Sequence, residues 1–220
     1  MGYTLNFAAV WRDIDLLLIG LGLSLTLAVV SIAIGCALGL VTAFMLLSKA
    51  RSARLVASIY VAAIRNTPIL VLILFTYFAL PQVGFRLGKI ESFVFTLSIY
   101  AGAYLAEVFR GALIAVPKGL SEAGLAIGLS GWQIKRSIVL PVMFRNVLPS
   151  LGSTLISLFK DTSLAAAIAV PELTFYARKI NNETFRVIET WMIASLLYVA
   201  TCMVLAAMLR QVERRLAIPK

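Results

Sequence analysis

Histidine is absent from this 220-residue chain, which removes imidazole general bases, His-ligated zinc and His proton relays in one step. Charge is scarce as well: 14% of residues are Asp, Glu, Lys or Arg, too few for a disordered chain, a coiled coil or an ordinary cytosolic enzyme. Cysteine occurs twice, at Cys36 and Cys202, each inside an apolar run and without a partner at metal-ligand or disulfide-framework spacing, so both read as small core residues. A phosphate-binding loop is also missing. The nearest string, Gly84-Phe85-Arg86-Leu87-Gly88-Lys89, has the wrong spacing and is followed by Ile90, so the chain has no means of hydrolysing ATP. No metal-ligand or nucleophile set stands in its place, and neither an enzyme nor a bound cofactor is expected.

Apolar surface is what the chain has in excess. At 61% of residues it exceeds the roughly 45–50% of soluble proteins by more than one buried core can absorb, so the surplus must face lipid. Only helices or closed barrels cross a bilayer, and the long runs here do not alternate as barrel strands must. Five spans are expected, at about 16–48, 55–80, 93–116, 137–170 and 190–209, in a single domain over 1–220. The second is interrupted by Arg65-Asn66-Thr67-Pro68, and the fourth by Arg145, Pro149 and Lys160-Asp161. Asp13 and Asp15 ahead of the first run, and its length, separate it from a signal-peptide core.

Five spans put the termini on opposite sides, and the basic residues choose the orientation. Twelve Lys and Arg, Lys220 among them, fall on one side with only Glu122 and Glu213 as acids; six fall on the other with six acids. The basic side is therefore expected in the cytoplasm, with the N-terminus outside and the C-terminus inside. The net charge of +10 then reads as topology and contact with anionic membrane lipid, with no role for nucleic acid.

Residues 117–140 join the third and fourth spans on that cytoplasmic side. They are too polar to span and too apolar for a free loop, and a helix–turn–helix fits them. Ser121 is placed to cap the first helix with Glu122 in its first turn, Gly128 to stop it in a left-handed turn, and Ser130 with Gln133 to form a capping box for the second. Taken alone, such a hairpin also fits an amphipathic unit resting on the membrane surface.

Glu122-Ala123-Gly124, Gly128, Ile138, Leu140 and Pro141 resemble the E-A-A-x3-G-x9-I-x-L-P signature of the permease subunits of bacterial ATP-binding cassette (ABC) importers. Gly124 departs from it, standing where alanine is usual. Tyr60 to Pro81 with its R-x-T-P break, Leu97 to Gly111, and the S-L-x-K-D-T-S-L of Ser157 to Leu164 resemble the polar amino-acid branch that serves histidine, glutamine, glutamate, arginine and opines. The resemblance implies an all-α membrane protein of the type I importer fold in the bacterial inner membrane. It also implies two separate ATPase subunits that bind ATP and Mg, a second permease subunit, identical or homologous, and a periplasmic substrate-binding protein. Leu120, Ser121, Glu122, Ala123, Gly124 and Gly128 would form the helix that couples to the ATPase.

An amino-acid zwitterion needs acceptors for its ammonium and donors for its carboxylate. Asn66 and Thr67 from the second span, Tyr100, Tyr104 and Glu107 from the third, and Asp161, Thr162 and Ser163 from the fourth are the candidates to line its passage. Arg65 and Lys160 complete the set of charges at membrane depth. An alternative gives Lys160 and Asp161 to ion pairs with Glu107 and Arg65 that hold helices together. Two other classes remain open on composition: a channel or ion-coupled carrier that works without an ATPase, and a scaffold subunit of a membrane complex.

Overall fold

The computed structural model describes residues 3–216, which are helical apart from turns and short connections; Lys220 lies outside the described residues. A single turn, α1 (Ala8–Trp11), leads into α2 (Ile14–Leu46). α3 (Arg51–Arg65) and α4 (Ile69–Leu74) follow, the latter extended by a π turn over Phe75–Ala79 and a 3₁₀ turn over Leu80–Val83. Next come α5 (Lys89–Ile114) and the short α6 (Lys118–Ala126). α7 (Gly131–Ile134), a π turn over Lys135–Val139 and α8 (Leu140–Asp161) run on into a 3₁₀ segment at Thr162–Ile168. α9 (Leu173–Thr184) and α10 (Val187–Leu216) complete the chain.

Four of these helical stretches are long and apolar enough to cross a bilayer: α2, α5, the continuous Gly131–Ile168 and Val187–Arg215. The expected second span, 55–80, is not one rod. α3 and the helix that follows meet at 101°, and only as a bent pair do they make a fifth candidate. Pro68 has no N–H to give and favours an extended residue before it, so the helix stops at Arg65. Thr67 N–H turns to Ile64 O, and the freed Ala63 O accepts from Thr67 Oγ1 at 2.8 Å instead, while Asn66 Nδ2 adds a second bond to Ala62 O at 2.7 Å.

The expected interruption of the fourth span at Arg145 and Pro149 does not occur, because α8 runs through both and ends at Asp161. Pro141 likewise sits inside a continuous helix. The π turn just before it widens the backbone where a proline ring would otherwise crowd the preceding turn.

α5 is the centre of the bundle, packed against α2, α3, α4 and α8. α2 meets it through small residues. Gly20, Ser24, Ala28, Ser31, Gly35, Gly39 and Ala43 are spaced at three or four and are all buried, Gly20 and Ser24 against the start of α9 and Gly35 and Gly39 against α5, while Val29, Ile34 and Val41 on the other faces stay exposed. A Cβ on Gly35 would lie 2.6 Å from Ala101 Cβ, and one on Gly39 2.9 Å from Leu105 Cβ, so the two backbones approach only because both side chains are missing.

The connections gather at two ends. At one, the end of α2, the end of α5, α6 and α7 share a cleft lined by Lys49, Leu113, Ser121 and Lys135. At the other, Lys89 Nζ donates to Ala169 O at 2.8 Å and Arg186 Nη1 to Thr4 O at 3.1 Å.

Candidate functional site

The break after α3 turns Arg65 toward the middle of α5. Its guanidinium stacks 5.2 Å from the centroid of the Tyr104 ring, and Tyr104 lies against Tyr100 with centroids 4.6 Å apart. Glu107, one turn further along α5, pairs with Arg110 at 2.7 Å. Arg65, Asn66, Tyr104 and Glu107 together line a cleft of about 460 Å³. Glu107 is shared with a second cleft of about 470 Å³ that continues past Gly111 to Asn146 and Ser150 on α8. A groove thus follows one face of α5, polar beside α3 and mostly apolar toward α8.

The remaining candidates divide. Asp161 and Ser163 are half-buried, and Lys160 is exposed. Thr162 does not face open space: it is fully buried and its hydroxyl donates to Phe159 O at 2.7 Å, closing its own helical turn. Thr67 likewise spends its hydroxyl on Ala63. Among the described residues no ion pair joins Lys160 or Asp161 to Glu107 or Arg65, because Glu107 is taken by Arg110 and Arg65 by the Tyr104 ring.

α6 presents two distinct faces. Gly124 is buried, and a Cβ there would lie 2.9 Å from Ile134 Cγ1 and 3.0 Å from Ile138 Cδ1; Ser121, on the same face, is half-buried. Glu122, Ala123 and Ala126 point outward, with exposed Leu120 and Leu125 at the flanks. The helix starts at Lys118 after Pro117, so Ser121 sits in its second turn and does not cap it, and Glu122 is outside the first turn. Its end is as expected. Gly128 has φ of 83°, Gly128 N–H bonds Leu125 O and Leu129 N–H bonds Gly124 O, a Schellman motif. Ser130 and Gln133 form the capping box that opens α7.

Two buried acids at the opposite end were not foreseen. Glu172 caps α9 with both oxygens, accepting from Phe175 N–H at 2.8 Å and Thr174 N–H at 2.9 Å. Tyr198 of α10 donates to it at 3.0 Å and Ser24 of α2 at 3.3 Å. Burial pushes the Glu172 carboxyl above the usual carboxylate range, against the pull of these four donors. Glu189 accepts from the Tyr3 hydroxyl and from Asn6 N–H, tying the start of the chain to α10. That bond to Glu189 pushes the Tyr3 hydroxyl up. Pro171-Glu172 ahead of Leu173 is the sequence signal that marks such a helix start.

Helices of bilayer-spanning length, a groove along the central one and a capped surface helix at one end make a multi-pass membrane protein. The chain belongs to the family of binding-protein-dependent transport system inner membrane components, whose sequence model matches residues 31–218. It is 39% identical over 215 residues to the glutamine transport system permease protein GlnP of Escherichia coli K12, covering 97% of this chain and 98% of that one. It is 36% identical to the L-cystine transport system permease protein TcyB of Bacillus subtilis 168, covering 90% and 85%. Among solved structures, an amino acid ABC transporter crystallised with histidines superposes with a TM-score of 0.89 at 31% identity, over 97% of this chain and 100% of that one. The two relatives are transport system permease proteins and the solved neighbour is an amino acid ABC transporter, which favours an ABC permease over an ATPase-independent channel or carrier.

Proposed function

We propose that this chain is the membrane-spanning subunit of an ATP-driven importer for a polar amino acid or an amino-acid derivative such as an opine. The observation that carries the reading is the nearly full-length likeness to amino-acid permeases. In this reading the basic end of the bundle lies in the cytoplasm, and a soluble binding protein delivers solute at the end that carries α9. The chain pairs with a second permease subunit, so that the groove along α5 becomes one wall of a passage between them.

Two ATPase subunits holding ATP and Mg engage the outward face of α6, formed by Glu122 and Ala123 and flanked by Leu120. Ser121, Gly124 and Gly128 fix that helix to the bundle and end it. Closure of the ATPases is transmitted through α6 and α7 into α8, and the bundle rocks between inward and outward access. Glu107 in the groove, joined by Asp161 at the end of α8, supplies acceptors for an ammonium group. Arg65, Asn66 and Tyr104 in the groove, with Tyr100 and Ser163, offer donors for a carboxylate, while Thr67 and Thr162 hold the backbone turns and Lys160 stays exposed.

The test is co-purification and flux. The tagged chain in mild detergent should bring down an ATPase, and Glu122→Lys, an exposed substitution, should release it. Undiminished recovery with Glu122→Lys, or transport by the chain alone in liposomes, refutes the coupling. Asp161→Asn should change flux or substrate preference with assembly intact; an unchanged profile removes Asp161 from the passage.

A further inference from the structure

The cleft at the basic end of the bundle has a volume of about 870 Å³, and of its lining only Ser121 enters the transport reading. Its inner wall is apolar, built from Leu40 and Phe44 of α2 and Leu113 of α5, and its rim carries Lys49 and Lys135. Among the described residues no acid lines it. Glu122 is turned away on the outward face of α6, and Ser121 of the inward face lines the cleft instead. Trp132 is 68% exposed at this rim, an amphipathic ring of the type that settles at headgroup level. The rim lies at the end of a bilayer-length helix, so apolar wall and cationic rim follow one another as acyl chain and headgroup do. By contrast, the apolar groove between α2, α8 and α10, lined by Leu25, Val29, Phe159 and Met208, has no charged rim and nothing to select a headgroup.

We propose that this cleft is a binding site for an anionic phospholipid, with the phosphate between Lys49 and Lys135 and an acyl chain against Leu40, Phe44 and Leu113. Charge complementarity selects the occupant: a basic pocket between membrane helices favours an anionic headgroup over a zwitterionic one. The bound lipid bridges α2 and α5 to α7, the element that leads from α6 into α8. The inference rests only on the chain spanning a membrane, so it stands or falls separately from amino-acid transport.

Native mass spectrometry of the purified full chain in detergent, titrated with phosphatidylglycerol or phosphatidylcholine, tests it. One phosphatidylglycerol should survive conditions that strip phosphatidylcholine. Each lysine near an anionic group is expected to contribute about fivefold in affinity, so Lys49→Gln with Lys135→Gln should weaken binding by more than about tenfold. The single variants, each expected to lose about fivefold, serve if the double variant misfolds. Arg210→Gln with Arg214→Gln, at the same end but outside the cleft, should leave binding unchanged. Equal retention of both lipids, lysine variants that bind as wild type does, or equal loss in the arginine control would overturn the site. Cross-linking of Lys49 or Lys135 to another polypeptide in the solubilised assembly would overturn it too.

Discussion

Replacing Glu172 by alanine is expected to loosen the end of the bundle where α2, α9 and α10 meet. The carboxylate is fully buried and accepts four hydrogen bonds, from the N–H groups of Thr174 and Phe175 and from the hydroxyls of Tyr198 and Ser24. Two of these donors have somewhere else to go: Ser24 Oγ reaches Gly20 O at 3.1 Å and Tyr198 reaches Thr174 Oγ1 at 3.0 Å. The two amides do not, since they belong to the first turn of α9, where no intrahelical acceptor exists. Leaving these two amides unpaired costs about 1–3 kcal/mol each, so Glu172→Ala should lose about 2–6 kcal/mol. The assay is unfolding in mixed detergent micelles, with amide exchange of α9 as the local readout. Unchanged stability together with unchanged exchange at Thr174 and Phe175 would refute the cap. A pH dependence follows with a definite sign. Because burial raises the carboxyl above its unfolded value, this group favours the folded state below the unfolded pKa, and that contribution is lost as pH rises through the folded pKa. Stability should therefore fall with rising pH in that window, and Glu172→Gln should flatten the slope.

Gly35→Ala should destabilise the α2–α5 seam by about 1–3 kcal/mol, since its Cβ would meet Ala101 Cβ at 2.6 Å, whereas Gly22→Ala, with nothing within 4 Å, should be neutral or slightly stabilising. Comparable melting of the two variants would contradict the seam. Tyr60→Phe removes a 2.6 Å bond to Ile99 O and should cost about 1 kcal/mol in the same micelle assay, with no loss from Tyr77→Phe as comparison. Arg65→Gln removes the stack on Tyr104 and should cost about 0.5–2 kcal/mol; double-mutant coupling with Tyr104→Leu near zero would dismiss the contact.

Most of the spans were legible because lipid selects on composition alone, and the apolar runs of α2, α5 and α10 announce themselves. Gly128, Ser130 and Gln133 were legible for a different reason: capping is settled by neighbours in sequence. Pro68 marked a break but gave no angle, because the 101° bend depends on how α3 and α4 each seat against α5. No element was expected between the fourth and fifth spans, where α9 lies, although Leu173, Ala177 and Ile180 carry helical spacing and are all buried. In the groove, residue types pointed to Arg65 and Glu107, yet their partners, the Tyr104 ring and Arg110, were fixed by tertiary geometry and by a local i,i+3 option. Gly35 and Gly39 make a small-xxx-small pair in the sequence, but the rest of the buried face of α2 was not legible. Small residues score as weakly apolar, so a hydropathy pattern does not reveal that the inside of this helix is its least bulky side.

The groove also bears on the pairing of two permease subunits proposed above. Arg65, Asn66 and Lys160 are exposed on this subunit, and Asp161 is only half-buried, with no ion pair among the described residues. A charge held against hydrocarbon near the bilayer centre costs about 2.5–3.5 kcal/mol even on the lower insertion scales, so several of them on one lipid-facing surface would consume much of the stability of a bundle this size. A facing subunit that encloses water removes that cost, because the charges then line a hydrated passage. α5 is buried on the side of α2, where no charge is found, and carries Tyr100, Tyr104 and Glu107 on the other. In the proposed pairing the two sides of one helix separate the packed half of the bundle from the half that lines the passage, and both are satisfied.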